Sequence, residues 1–192
     1  MSEKRLFVAI TGASGAIYAK RLLEAASPEY DRIYVAASEH AIPIMRDELD
    51  IVELEDILPK KTHGTFEMFD ADDLYAPPSS GSHELDAMVI VPCSMGTVGR
   101  IAAGISSDLI TRAADVCLKE RRKLILVVRE TPLSLIHLEN MTTLTRAGAV
   151  ILPASPAFYQ KPETIGDMVD FLVDRVLRQL GVGKRLMDGW KE

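Results

Sequence analysis

Two glycine turns and a scatter of hydroxyls and cations are the residues of this chain best suited to chemistry. Thr11-Gly12-Ala13-Ser14-Gly15 follows the apolar run Leu6 to Ile10 and precedes a helical pattern from Ala16 to Ala26. Glycine lets the backbone turn sharply, and the first N–H groups of a helix lack partners within it, so this turn favours an anion such as phosphate. Ser14 at the crest can bond a phosphate, contact a flavin ring or cap the helix. A second turn, Pro92-Cys93-Ser94-Met95-Gly96-Thr97, stands between the apolar run Ala87 to Val91 and a helical segment from Val98 to Gly104, which repeats the arrangement. Arg129-Glu130 ends the run Lys123 to Val128, Ser38 ends Arg32 to Ala37, and Ser155 to Tyr159 follows Ala149 to Leu152. Arg175 lies at the edge of the stripe Ile165, Met168, Val169, Leu172 and Val176, where it snorkels or reaches an anion. Read singly, Glu48 is a solvated charge, and Arg112 and Lys119 lie off the apolar face of the helical segment Asp108 to Arg122.

The details exclude the commonest dinucleotide enzymes. Tyr18 stands where a dinucleotide fingerprint wants its third glycine, and Ser38 stands where such an enzyme presents a ribose-reading carboxylate. Short-chain dehydrogenase chemistry needs a Tyr and a Lys four apart, and none of the five tyrosines has that partner.

These residues need elements to hold them. Apolar strands alternate with helical patterns, with Leu135 to Ala147 as a helix stopped by Gly148 and Thr164 capping the last one. The fold class expected is α/β: a single-domain, Rossmann-like or flavodoxin-like doubly wound sheet, mostly parallel, with helices on both faces. Ligands bind such sheets outside the carboxyl ends of the strands, where the turns above gather. Residues 51–64 show no clear period, Phe66 to Phe69 reads as a short strand or edge, and Ala76 to Ser82 is a loop, either a ligand lid or an ordinary connection. With 192 residues, 47% of them hydrophobic, the chain suits one domain spanning 1–192. Its 28 acidic and 22 basic residues leave a net charge of −6, which argues against nucleic acid as a partner. Cys93 and Cys117 form neither a disulfide framework nor a metal-ligand spacing, so no metal is expected. The apolar run after Lys4-Arg5 is too short for a secretory leader and no run is long enough to span a bilayer, so the expected setting is cytoplasmic with no membrane contact.

Taken in order, Thr11 to Gly15, Ala76 to Ser82, Pro92 to Thr97, Arg129-Glu130-Thr131-Pro132 and His137-Leu138-Glu139-Asn140-Met141, closed by Phe158-Tyr159 and Trp190, resemble the UbiX-type flavin prenyltransferases along nearly the whole chain. The resemblance implies transfer of the dimethylallyl group of dimethylallyl phosphate to N5 and C6 of reduced FMN, giving prenylated FMN for a separate UbiD-type decarboxylase. By that resemblance Gly12, Ala13, Ser14, Ser38, Ser94, Met95, Gly96, Thr97 and Arg129 hold FMN. Arg112, Lys119, Arg129, Glu130, Tyr159 and Arg175 surround the allylic phosphate, contributed by more than one subunit, and Ser14, Glu48, Lys119, Glu130 and Trp190 act in the reaction. It further implies a homo-oligomer, a dodecamer, with residues 181–192 packing at a subunit interface. Leu74-Tyr75 departs from the family, whose members can carry a Trp before the Ala-Pro-Pro loop. The alternatives are an FMN-dependent cysteine decarboxylase, whose Pro-Ala-Ser-Ala-Asn-Thr signature is absent, and a non-catalytic FMN carrier.

Overall fold

Side-chain alternation along six short strands sorts the core onto two faces of one sheet. The computed structural model describes residues 3–61, 63–183 and 185–187. The strands are β1 (Arg5–Ile10), β2 (Arg32–Ala37), β3 (Thr65–Asp70), β4 (Ala87–Cys93), β5 (Lys123–Val128) and β6 (Val150–Pro153). All neighbours pair in parallel, in the order β3-β2-β1-β4-β5-β6. This is the Rossmann order, and it reverses between β1 and β4.

The helices are α1 (Ala16–Ala26), α2 (Ala41–Leu49), α3 (Met95–Ala102), α4 (Leu109–Lys119), α5 (Leu135–Ala147) and α6 (Ile165–Leu180). Leu6, Val8 and Ile10 of β1 point into a core shared with α1, α2 and α6. Phe7 and Ala9 point the other way, into a core shared with α3, α4 and α5. An ion pair between Arg21 and Asp170 at 2.5 Å ties α1 to α6 across the first layer.

The strands and long helices lie close to where the hydrophobic pattern puts them, but β4 runs on through Pro92 and Cys93, which the sequence reading gave to the turn, and α4 stops at Lys119 rather than Arg122. α3 begins at Met95 rather than Val98, because the Ser94 hydroxyl accepts the Thr97 N–H at 3.2 Å and caps the helix a turn earlier. Among the described residues of 51–64 the one helical element is a short 3₁₀ turn, Leu54–Ile57, whose Ile57 is buried, which accounts for the lack of a period. β3 is an edge strand bonded only to β2. The Ala76 to Ser82 loop holds a 3₁₀ turn at Pro77–Ser79 and is bonded to α4 and the residues after it: Arg112 Nε donates to the Ser79 carbonyl at 3.0 Å, and Arg122 donates to the Gly81 and His83 carbonyls, both at 2.7 Å.

Caps at Ser94, Asp108, Ser134 and Thr164 start α3, α4, α5 and α6. At α5 the Ser134 hydroxyl accepts the His137 N–H at 3.2 Å while His137 Nδ1 accepts the Ser134 N–H at 3.3 Å. Ser134→Ala removes this cap and should cost about 1 kcal/mol, a fall in Tm of about 2–4 °C. Thr143→Ala on the exposed side of the same helix should leave thermal unfolding within about 0.5 kcal/mol of the parent.

Candidate functional site

β1 and β4 are neighbours at the reversal point, and the turn after each is tied to the other by one buried hydroxyl. Thr11 Oγ1 donates to the Pro92 carbonyl at 2.9 Å and accepts the Ser94 N–H at 2.8 Å, while the Thr11 N–H also reaches the Pro92 carbonyl at 3.1 Å. Thr11 is 2% exposed, so these bonds are made away from water. Side by side, the two turns frame a cleft of about 740 Å³ at the carboxyl ends of the strands. Gly12, Ser38, Ser94, Met95, Gly96, Thr97 and Glu130 line it, all expected from the sequence. The volume lies in the range of small-molecule sites.

The cleft walls are prepared for a ligand. Ser38 Oγ, in the lining, is buried and has no hydrogen-bond partner among the described residues; Arg129 Nε, one residue before the lining Glu130, is likewise buried and unpartnered. A buried polar atom without a partner is costly, so a ligand bound in the cleft would repair the defect at Ser38. Gly12 leaves its wall bare: a Cβ there would come within 2.7 Å of His40 Cβ. At the other wall α3 presents its open N-terminal end, where Met95 and Gly96 carry N–H groups without intrahelical partners. Glycine walls, an anion-favouring helix end, and unpartnered hydroxyl and guanidinium groups fit a flavin mononucleotide.

The first turn departs from its expected role. Ser14 is exposed and does not cap α1; the N-cap position belongs to Gly15 at φ 116°, a left-handed conformation natural only to glycine. The cap itself is Glu48, brought over from α2. Its Oε2 accepts the Gly15 N–H at 3.0 Å and the Ala16 N–H at 2.9 Å. Glu48 is exposed, as a solvated charge should be, and its carboxylate also serves as the anion at the α1 N-terminus, a role its place in the sequence did not suggest.

The chain matches the Flavoprotein family model over residues 1–177. It is 49% identical over 186 residues to the flavin prenyltransferase UbiX of Thermoplasma acidophilum, covering 97% of this chain and 99% of that one. The chain belongs to the UbiX flavin prenyltransferase family. Among solved structures of the family, the complex of AnUbiX (PadA1) with FMN and dimethylallyl pyrophosphate superposes with a TM-score of 0.89 at 40% identity, covering 98% of this chain and 100% of that one. The dodecameric FMN-dependent UbiX-like decarboxylase from Escherichia coli O157:H7 gives 0.89 at 41%, covering 97% and 98%.

Of the other residues expected from the UbiX resemblance, Glu130 lines the cleft while Ala13, Arg112, Lys119, Tyr159 and Arg175 do not. Ala13 is buried beneath the first turn, and its N–H donates to the Thr11 carbonyl at 2.7 Å. Glu130 accepts the Thr131 N–H at 3.1 Å. Arg112 and Lys119 ride on α4, where Arg112 also pairs with Asp115 at 2.9 Å and Lys119 with Glu120. Tyr159 and Arg175 form their own cluster: Arg175 Nη2 donates to Tyr159 Oη at 3.3 Å, and the guanidinium lies 5.3 Å from the centre of the Phe171 ring. Arg112, Lys119, Tyr159 and Arg175 are all absent from the cleft lining. Tyr75, at the family departure, is fully exposed, and Trp190 lies outside the described residues.

Sequence reasoning missed Arg100, which lines the cleft, donates to Asp108 at 2.8 Å and reaches the Thr97 hydroxyl at 3.3 Å. Its spacing of three from Thr97 on a helix was the available signal.

Two measurements follow. Glu48→Ala uncovers the Gly15 and Ala16 N–H groups and should lower stability by about 1–2 kcal/mol, with Glu48→Gln, which keeps an acceptor but not the charge, falling between it and the parent in urea unfolding. Cys93 is wholly buried, and burial pushes its thiol far above the ordinary range. Native protein at pH 8 should therefore resist iodoacetamide for hours and react only when unfolded.

Proposed function

We propose that the chain joins the dimethylallyl group of dimethylallyl phosphate to N5 and C6 of reduced FMN, making prenylated FMN for a partner UbiD-type decarboxylase. The observation that carries this reading is the cleft at the β1–β4 reversal, lined by Gly12 and Gly96, with Ser38 Oγ buried and unpartnered among its lining residues. Reduced FMN, when bound, supplies the nucleophilic atoms. Gly12, Ala13, Ser14, Ser38, Ser94, Met95, Gly96, Thr97 and Arg129 hold and orient it. Arg112, Lys119, Arg129 and Arg175 bind the allylic phosphate and neutralise charge as it departs, which lowers the barrier because the cations are placed before the charge develops. Tyr159 and Trp190 offer ring faces to the allylic group. Ser14, Glu48 and Glu130 hold protons or position the groups that exchange them, and no protein nucleophile is needed, in keeping with the protonated, buried Cys93.

One chain alone does not gather this set, since Lys119 and the Tyr159–Arg175 pair lie away from the cleft. Large apolar side chains also face outward, with Leu135 69%, Ile136 67%, Phe158 71% and Ile165 68% exposed. Both facts support a homo-oligomer, a dodecamer, in which neighbouring copies cover these surfaces and complete each site. Among the described residues no helix is long and apolar enough to cross a membrane, and the two free, buried cysteines suit a reducing cytoplasm.

Anaerobic incubation with reduced FMN and dimethylallyl phosphate, followed by mass and absorbance measurement of the flavin, tests the reaction; an unchanged flavin overturns it. Reaction with the diphosphate alone would retain the reaction class and change the donor. Arg175 tests the phosphate site. Its removal in Arg175→Ala takes away a charge-assisted contact worth about 1.5–3 kcal/mol, so kcat/KM for dimethylallyl phosphate should fall by roughly tenfold to a hundredfold while FMN affinity holds. Arg175→Lys should recover only part, because an ammonium lacks the planar fork. A lower Tm with an unchanged saturation curve would instead reduce Arg175 to packing on Phe171 and Tyr159.

A further inference from the structure

Among the described residues the cleft lining carries four carboxylates, those of Glu39, Asp72, Asp108 and Glu130, against one guanidinium, that of Arg100, with His40 as the other basic side chain. A ligand bearing a phosphate meets mostly like charge there, so the place of the arginine decides where its anionic end can rest. Arg100 belongs to the last turn of α3. Helical side chains lean back toward the helix start, and here Arg100 Nη2 reaches the Thr97 hydroxyl at 3.3 Å, one turn nearer that start. The cation is thereby set toward the helix end where Met95 and Gly96 leave their N–H groups open, and Ser94, Met95, Gly96 and Thr97 line the same cleft.

Arg100 does not swing freely. Its Nη1 donates to Asp108 Oδ2 at 2.8 Å and, at 3.4 Å, to the Ser107 hydroxyl. Asp108 is itself locked at the start of α4, where its Oδ1 accepts the Thr111 N–H at 2.8 Å and the Thr111 hydroxyl at 2.7 Å. One carboxylate thus caps α4 with one oxygen and holds the α3 guanidinium with the other. A guanidinium has five N–H donors. Asp108, Ser107 and Thr97 engage three of them, so Nε–H and the second Nη2 hydrogen have no acceptor among the described residues. The side chain is 39% exposed, which leaves these two donors open to a ligand in the cleft.

We propose that Arg100 is the side-chain cation that receives the FMN phosphate beside the open end of α3, and that it gives the cleft its preference for FMN over riboflavin. The proposal rests on the flavin reading of the cleft given above. Holding by Asp108 lowers the ordering cost that a long arginine side chain otherwise meets on binding. The ionised donor makes a stronger contact to a phosphate oxygen than the neutral hydroxyl and N–H groups around it can make alone. Riboflavin carries the same ring system and ribityl chain without the phosphate, so it has nothing to offer Arg100.

Oxidised FMN and riboflavin both fluoresce, so their dissociation constants for the full-length protein can be measured without turnover or a prenyl donor. Arg100→Ala should weaken FMN binding by about tenfold to a hundredfold and leave riboflavin binding at the parental value, which also reports that the variant is folded. Arg100→Lys should recover part of the loss, because an ammonium keeps the charge without the planar fork. Removing Arg100 also bares Asp108, whose carboxylate then repels a phosphate. The double variant Arg100→Ala with Asp108→Asn separates the two effects, since Asn still caps α4. A direct phosphate contact leaves the double variant weak for FMN, whereas parental FMN affinity in it overturns the proposal. Equal losses for both flavins in Arg100→Ala, or no loss for either, overturn it too. A parent that binds neither flavin overturns the cleft reading itself, while FMN selectivity that depends on Arg100 upholds the proposal whether or not prenyl transfer is seen.

Discussion

The Thr11 hydroxyl is the constraint on which the site depends. Parallel strands bring β1 and β4 together, but sheet pairing ends before the turns, so the turns need a bond of their own. Thr11 supplies it by donating to Pro92 and accepting from Ser94, and it does so where water cannot compete. Once Ser94 is held, its own hydroxyl caps α3 and aims that helix end at the cleft. Gly12 and Gly96 then stand on opposite walls, with Ser38 and Glu130 brought in from the flanking strands. A valine of the same shape would keep the backbone bond to Pro92 but lose both side-chain bonds, leaving the Ser94 N–H without its acceptor.

A second theme is the division of labour between two similar helix ends. Both α1 and α3 follow a strand and a glycine-bearing turn, so both carry the same partial positive charge. Glu48 consumes that of α1, whereas the N-cap of α3 is neutral Ser94. A carboxylate from α2 at the α1 N-terminus fills the place an anion would take there, while the N-terminal end of α3 has no such charge and Arg100 stands beside it in the cleft lining. Repetition in sequence thus conceals a functional asymmetry, produced by one side chain reaching across from α2.

α6 links the periphery to this centre. Its buried stripe packs on the sheet, its exposed edge carries Arg175 against Phe171 and Tyr159, and its one buried charge receives the returning chain. Reactive groups that lie far apart in one chain are commonly assembled by symmetry, and here the outward-facing Leu135, Ile136 and Phe158 provide apolar surface for such contacts. Cys93, next to the cleft-lining Ser94, is wholly buried, and burial raises its thiol above the ordinary range, which disfavours the thiolate.

Much of this was legible in the amino-acid sequence, for identifiable reasons. Strands and helices declare themselves through the period of apolar residues, so α1, β2, β5 and α5 have the bounds the pattern predicts. The turns after β1 and β4 declare themselves through glycine and serine, and the alternation of elements places them at one end of a parallel sheet; family likeness then attaches roles to residues that chemistry alone leaves open. Tertiary structure decided the rest, because hydrogen bonds between distant segments leave no local signature. Glu48 lies 33 residues from Gly15, Thr11 lies 83 from Ser94, and nothing in either neighbourhood announces the partner. Asp174 reads locally as a polar interruption of an apolar helix face; only the reversal at Gly181, which carries Leu186 back alongside it, turns that interruption into an anchor.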